Sequence, residues 1–295
     1  MAPQGESKRR IECIADVRAN VGEGPIWVPR EQALYWVDNK GRKVFRRDWS
    51  GMVRTFATPF EICCLAPRER GGFIAGTDRG LAAIDFEAGR YDIVANPEAD
   101  SPGNRFNDGK TDYWGRFWSG TMDNAEKAAT GSLYRFDADL SWTKIDSGYR
   151  VTNGPAFDRN RGRMYHTDSA AKTIFAFDLS ESGEVSDRRV FARFEDKDGS
   201  PDGMTVDSDG DLWVCFWDGW CLRRLSPGGD MVERIAMPVQ RPTSCAFGGP
   251  GLDRLYVTSA RLGFDDDALS MQPCAGGLFL VEVEVRGVTE TSFAG

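Results

Sequence analysis

The stretch Arg105–Met122, RFNDGKTDYWGRFWSGTM, decides the reading of this chain. It opens on a polar group, Arg105, Asn107 and Asp108, closed by Gly109. A turn follows at Tyr113-Trp114-Gly115, then an aromatic strand, Arg116-Phe117-Trp118, ending in Ser119-Gly120-Thr121. Polar side chains on a loop leading into so apolar a strand are how a rigid sheet presents a chemical site. The arrangement recurs along the chain, and the recurrence fixes the fold.

Strand-like triplets preceded by a turn stand at Leu34-Tyr35-Trp36, Gly72-Phe73-Ile74, Arg116-Phe117-Trp118, Arg163-Met164-Tyr165, Asp211-Leu212-Trp213 and Arg254-Leu255-Tyr256. Their middle residues are 38, 44, 47, 48 and 43 residues apart. A period of roughly 40–50 residues is that of a four-stranded propeller blade. Each anchor is followed by another strand pattern: Lys43-Val44-Phe45, Leu81 to Ile84, Ser132 to Arg135, Thr173 to Ala176, Cys221 to Arg223 and Gly277 to Leu280. The repeat predicts an all-β fold, a six-bladed propeller with a central metal site. It forms one domain over residues 11–290, with residues 1–10 as a disordered tail outside it. A two-sheet sandwich also has short strands and turns, but it does not repeat one motif six times at this period. The N-terminal strand, Arg10 to Val17, is expected to join the last blade and leave no open edge.

Composition agrees. The 295 residues carry 12% aromatics, 33 glycines and 14 prolines, which suits many short strands and turns. A net charge of −8 disfavours nucleic acid as a partner, because phosphate backbones bind basic surfaces. No apolar run is long enough to span a bilayer, so no membrane association is expected. Lys8-Arg9-Arg10 has no apolar segment after it, so the N-terminus does not read as a signal peptide. Seven cysteines, an odd number with no CxxC pair, read as reduced core thiols of a cytoplasmic protein.

Counting back from the anchors locates a site. Glu23 lies 12 residues before Tyr35, Asn107 10 before Phe117, Asn153 11 before Met164 and Asp202 10 before Leu212. The equivalent windows hold Glu61-Ile62-Cys63 in blade two and Thr243-Ser244 in blade six. In a propeller, loops at one offset meet near the central axis. Four blades thus bring a carboxylate or carboxamide to one point, each closely followed by glycine, which lets the backbone turn sharply. Oxygen donors without imidazole or thiolate suit a hard cation. Glu23, Asn153 and Asp202 form a ligand set with positions open for water and substrate. The alternative for each residue alone is a turn hydrogen bond.

At these residues the chain resembles the SMP-30/gluconolactonase/LRE family. The motifs are Gly22-Glu23-Gly24-Pro25-Ile26-Trp27, Arg105 to Lys110, Gly115 to Met122, Thr152-Asn153-Gly154-Pro155, Pro201-Asp202-Gly203-Met204, Cys245 to Gly249 and Gln272-Pro273 with Gly276 to Phe279. They span about residues 11–285 in order. The resemblance implies one divalent metal (Ca, Mn, Mg or Zn) and hydrolysis of sugar lactones. It implies metal binding by Glu23, Asn153 and Asp202, and substrate contact by Arg105 and Asn107; we add Asp108, in the same polar group. In some family members a glutamate just after the Gly-Thr-Met strand contacts the sugar. Here that region reads Asp123-Asn124-Ala125-Glu126, and the glutamate is shifted or absent.

The expected substrate is an aldonolactone such as gluconolactone, xylonolactone or arabinonolactone, with Asp202 as general base. The protein is expected to be a monomer or weak homo-oligomer. A serine hydrolase lacks its parts: His166 is the one histidine and no GxSxG elbow occurs. Asp207-Ser208-Asp209-Gly210-Asp211 lacks the distal glutamate of a calcium loop and reads as a blade turn. Asp265-Asp266-Asp267 reads as a solvated loop. Trp217, Trp220 and Phe216 are candidates for the substrate mouth, with blade packing as the alternative. The competing functions are a lactonase or esterase on non-sugar substrates, and a non-catalytic calcium-binding propeller.

Overall fold

A computed structural model of the chain describes residues 9–295. It contains six four-stranded antiparallel sheets arranged as the blades of a β-propeller. The inner strands are Gly22–Val28, Ile62–Pro67, Asn104–Thr111, Thr152–Asp158, Ser200–Val206 and Pro242–Gly248. The second strands are Ala33–Asp38, Phe73–Thr77, Phe117–Asp123, Arg163–Asp168, Leu212–Trp217 and Arg254–Ser259. All six sequence anchors therefore fall on, or at the first residue of, second strands.

Blade six takes its outer strand from the other end of the chain. Ile11–Ala15 pairs antiparallel with Leu278–Glu282, with Ile11 opposite Val281 and Cys13 opposite Phe279. This covers the hydrogen-bonding edge that the last strand would otherwise expose. The seam between blades six and one is filled by Trp27 and Tyr256, whose rings stack at 6.5 Å. Tyr35, Phe73, Phe117, Tyr134 and Phe136 belong to one buried cluster across blades one to three. Inner strands are almost wholly buried because neighbouring blades cover both their faces, whereas the outer strands alternate with solvent.

Two turns repeat one device. Asp112 accepts from the amides of Trp114 and Arg116, from Arg116 Nε at 2.7 Å and from Trp118 Nε1 at 2.8 Å. Asp207 accepts from the amides of Asp209 and Asp211, from Trp213 Nε1 at 2.8 Å and from Arg224 Nε at 2.9 Å. The Asp207–Asp211 run is thus a turn between strands. Asp265 caps the one α-helix among the described residues, Asp266–Met271, by accepting from the Ala268 amide.

Of the tail expected at residues 1–10, residues 1–8 lie outside the described residues, and Arg9 pairs with Glu233 at 2.9 Å. Past residue 290 the chain remains packed. Phe293 is buried and its amide donates to the Pro67 carbonyl. The Ala294 amide donates to the Gly115 carbonyl, while Gly287 bonds back to Leu252. This strap runs from blades five and six to blades two and three, across the end of the axis where the inner strands finish. On the way Glu290 meets Lys110 at 2.8 Å. No helix among the described residues is long and apolar enough to cross a membrane.

Candidate active site

The opposite end of the axis, where the inner strands begin, holds a cavity of about 410 Å³ lined by Glu23, Arg105, Asn107, Asn153 and Asp202 among others. Each inner strand slips register against its neighbour at this level. The slips fall between Glu23 and Ile26, Ile62 and Cys64, Phe106 and Gly109, Asn153 and Ala156, Pro201 and Met204, and Pro242 and Cys245. Such a bulge adds a residue to one strand and re-aims its side chains. The sequence reading placed these residues on loops before a strand; they lie on the inner strands themselves. Gly24 and Gly154 take the positive φ their bulges need, at 51° and 79°. Gly203 answers to space: a Cβ there would sit 2.2 Å from Ser244 Oγ of the next blade.

A directional chain of hydrogen bonds fixes the amides. Arg105 Nη1 donates to Asn107 Oδ1 at 2.7 Å. Asn107 Nδ2 donates to the Thr152 carbonyl at 2.7 Å and to Asn153 Oδ1 at 3.2 Å. Asn153 Nδ2 donates to Ser169 Oγ at 2.8 Å, and Ser169 donates to the Pro201 carbonyl at 2.6 Å. Each amide therefore has one orientation, running from blade three through blade four to blade five. Ser169 was not identified from the sequence, because it follows a second strand and shares no offset with the other site residues.

The acids carry strained charge. Burial, then the neighbouring Asp108, pushes the Glu23 carboxyl well above its ordinary 4.5. Burial, then Glu23 and Asp108, does the same to Asp202. Glu23 Oε2 accepts, among the described residues, from the Gly24 amide alone, at 3.0 Å. Among the described residues no group of three or more His, Cys, Asp or Glu forms a metal cluster. The oxygen set here is two carboxylates and one carboxamide. Its crowded buried negative charge and its lack of nitrogen and sulfur donors fit a hard divalent cation.

Asp108 departs from the expectation of a substrate contact. Its Oδ1 accepts from Gly109 N at 2.7 Å and its Oδ2 from Gly154 N at 2.8 Å, and it does not line the cavity. Side chains alternate along a strand, so its neighbour Asn107 faces the cavity and Asp108 faces the interior. Burial raises its carboxyl to about 6.

At the mouth, Glu126 lines the cavity, so the displaced glutamate still reaches the opening. Asn124 Oδ1 accepts from Arg105 Nε at 3.0 Å and Lys40 Nζ at 3.4 Å, and Lys40 also pairs with Glu61 at 2.8 Å. Asp123 turns inward on its own loop and accepts from the amides of Ala125, Lys127 and Ala128. Trp217 lines the cavity; Phe216 is fully buried against Phe194, and Trp220 does not line it. His166 is wholly buried beside Tyr149, away from the cavity, and burial drops its pKa to about 3.

The fold and this cavity define a class: six-bladed propellers with an acidic, oxygen-lined pocket at one end of the axis. The chain belongs to the SMP-30/Gluconolactonase/LRE-like family, whose profile matches residues 21–261. It is 35% identical over 287 residues to a 6-deoxy-6-sulfogluconolactonase of Pseudomonas putida, covering 97% of this chain and 99% of that one. It is 37% identical over 287 residues to an L-arabinolactonase of Azospirillum brasilense, covering 96% and 95%. Among solved structures, a calcium-binding protein, regucalcin, from Agrobacterium tumefaciens superposes with a TM-score of 0.92 at 28% identity, covering 98% of each chain.

Proposed function

We propose that this protein hydrolyses sugar lactones to aldonic acids with one divalent metal ion. The observation that carries the reading is the convergence of Glu23, Asn107, Asn153 and Asp202, from four blades, on one cavity. Glu23, Asn153 and Asp202 would hold the ion, which when bound supplies Lewis acidity toward the lactone carbonyl. The lactonase names of two relatives support the substrate class.

The chain's own groups divide the remaining work. Arg105 presents a fixed guanidinium to the sugar oxygens and to the oxygen on which charge develops, and Asn107, whose two amide hydrogens go to Thr152 and Asn153, presents its Oδ1 as an acceptor for a sugar hydroxyl. The Asp202 carboxylate, which lines the cavity with Glu23 and Asn153, would take the proton of the attacking water. Water oxygen bonds to the carbonyl carbon, the ring C–O bond breaks, and the ring oxygen leaves as a hydroxyl after taking up a proton. Asn153 Nδ2 donates to Ser169 and the side chain does not titrate, so Asn153 would serve as a neutral, fixed ligand and take no part in moving protons.

A pH-indicator assay on a panel of glucono-, xylono-, arabinono- and galactonolactone, with and without chelator, tests the reading. Hydrolysis of at least one lactone is expected, lost on exhaustive chelation and restored by Mn²⁺, Ca²⁺, Mg²⁺ or Zn²⁺. Full activity in metal-free protein would sink the metal assignment. Tight metal binding with no turnover on any lactone would instead mark a non-catalytic metal-binding propeller.

A further inference from the structure

The cavity has two unlike walls. Arg105 and Lys40 supply hydrogen-bond donors and Asn107 an amide oxygen, whereas Trp217 and Leu262 present apolar surface. Register places Trp217 directly opposite Ser200, two residues before Asp202 on the inner strand of the same blade. The indole therefore stands one step above Asp202, toward the mouth. It is half-buried, unlike the fully buried Trp213 earlier on its strand.

The indole is also braced. The Arg241 guanidinium lies over its ring at 4.6 Å from the centroid, and over the Phe264 ring at 4.2 Å. Arg241 Nε donates to Asp218 Oδ1 at 2.6 Å and Nη1 donates to the Leu262 carbonyl at 2.5 Å. Gln240 Nε2 donates to the same Asp218 oxygen at 2.9 Å. A guanidinium pinned at two atoms and lying over two rings restrains both. Arg241 thus covers a face of Trp217, and Trp217 also lines the cavity.

We propose that Trp217 is the platform on which the C–H face of the substrate's sugar ring stacks, and that Arg241 is the positioning residue that holds it. The inference rests on the sugar-lactone reading above and narrows it to a ring orientation. A sugar ring has polar edges and an apolar face. In this cavity the hydroxyl edge meets Arg105, Asn107 and Lys40, and the face meets the indole. Flat aromatic surface costs little conformational freedom to order, which suits it to selecting a rigid ring over an acyclic ester.

The test pairs kinetics with binding. Trp217→Ala should raise KM for the preferred aldonolactone about 10-fold with kcat nearly kept, and Trp217→Phe should stay within about 3-fold of wild type. Arg241→Lys keeps the charge but loses the planar fork, and should raise KM without moving kcat. In parallel, an aldonolactam, which keeps the ring and hydroxyls but resists hydrolysis, is titrated calorimetrically into wild type, Trp217→Ala and Trp217→Phe, with circular dichroism to verify folding. Weaker lactam binding by Trp217→Ala alone supports the platform. Equal KM and equal lactam affinity in folded Trp217→Ala overturn it. If wild type turns over no lactone yet binds the lactam in a Trp217-dependent way, the lactonase reading fails and the platform stands. No lactam binding by wild type overturns the platform, whether or not a lactone is turned over.

Discussion

Glu23 and Asp202 share one small volume, and two consequences follow for single residues. The first is kinetic. Asp202→Asn keeps the shape of a ligand but removes its basicity, so turnover should stay about 10²-fold down even at saturating metal. Glu23→Gln and Asn153→Ala should recover much of theirs as metal is raised. Turnover against metal concentration for the three variants checks this, and full recovery of Asp202→Asn would leave Asp202 as a ligand only. The second concerns stability without metal. A carboxyl raised by burial holds its proton more tightly folded than unfolded. Its contribution is complete below the ordinary value, 4.5 for Glu23 and 3.8 for the aspartates, and is lost as pH rises through the folded value; for Asp108 that is about 6. In chelated protein, Asp202→Asn should therefore match wild type near pH 4 and melt a few degrees higher at pH 8. Melting curves across that range decide it, and a lower Tm for the variant at pH 8 counts against the crowding of charge.

For the turns and strands, Asp112 is the sharpest case. It holds two amides, an indole and a guanidinium with one fully buried carboxylate. Asp112→Ala would leave Arg116 buried without its partner, at a cost of about 3–5 kcal/mol. Denaturant unfolding measures it, and a loss below about 1 kcal/mol would contradict the role. Asp112 and Asp207 each stand six residues before a tryptophan, a spacing plainly readable in the sequence. The strand anchors were readable for the same reason: an aromatic or aliphatic triplet recurs at a regular period. The inner strands were harder to see. Gly22 to Pro25 and Thr152 to Pro155 carry the glycine and proline of loops, because the bulge that aims Glu23 and Asn153 needs that backbone. Asp108 was misplaced because strand alternation decides its direction, and alternation cannot be applied to a segment read as a loop. Ser169, Lys40 and Leu262 come from the segments after the second strands, whose lengths differ from blade to blade, so no common offset marks them.

At the scale of the whole ring, closure depends on Ile11–Ala15. Removing residues up to Val17 would bare the edge of Leu278–Glu282 and uncover the cluster that Ile11 and Cys13 pack against. The truncated protein should melt at least about 10 °C lower and tend to associate through that edge. Scanning calorimetry and size-exclusion chromatography check both, and an unchanged Tm would show that closure is carried elsewhere. The same pairing has a meaning during synthesis. Blades one to five can each form as the ribosome extends the chain, from contacts close in sequence. The first strand, however, emerges early and has no partner until Leu278–Glu282 has been made. While the residues between the two strands are being made it stays unpaired, open to any chaperone or neighbouring nascent chain that meets it.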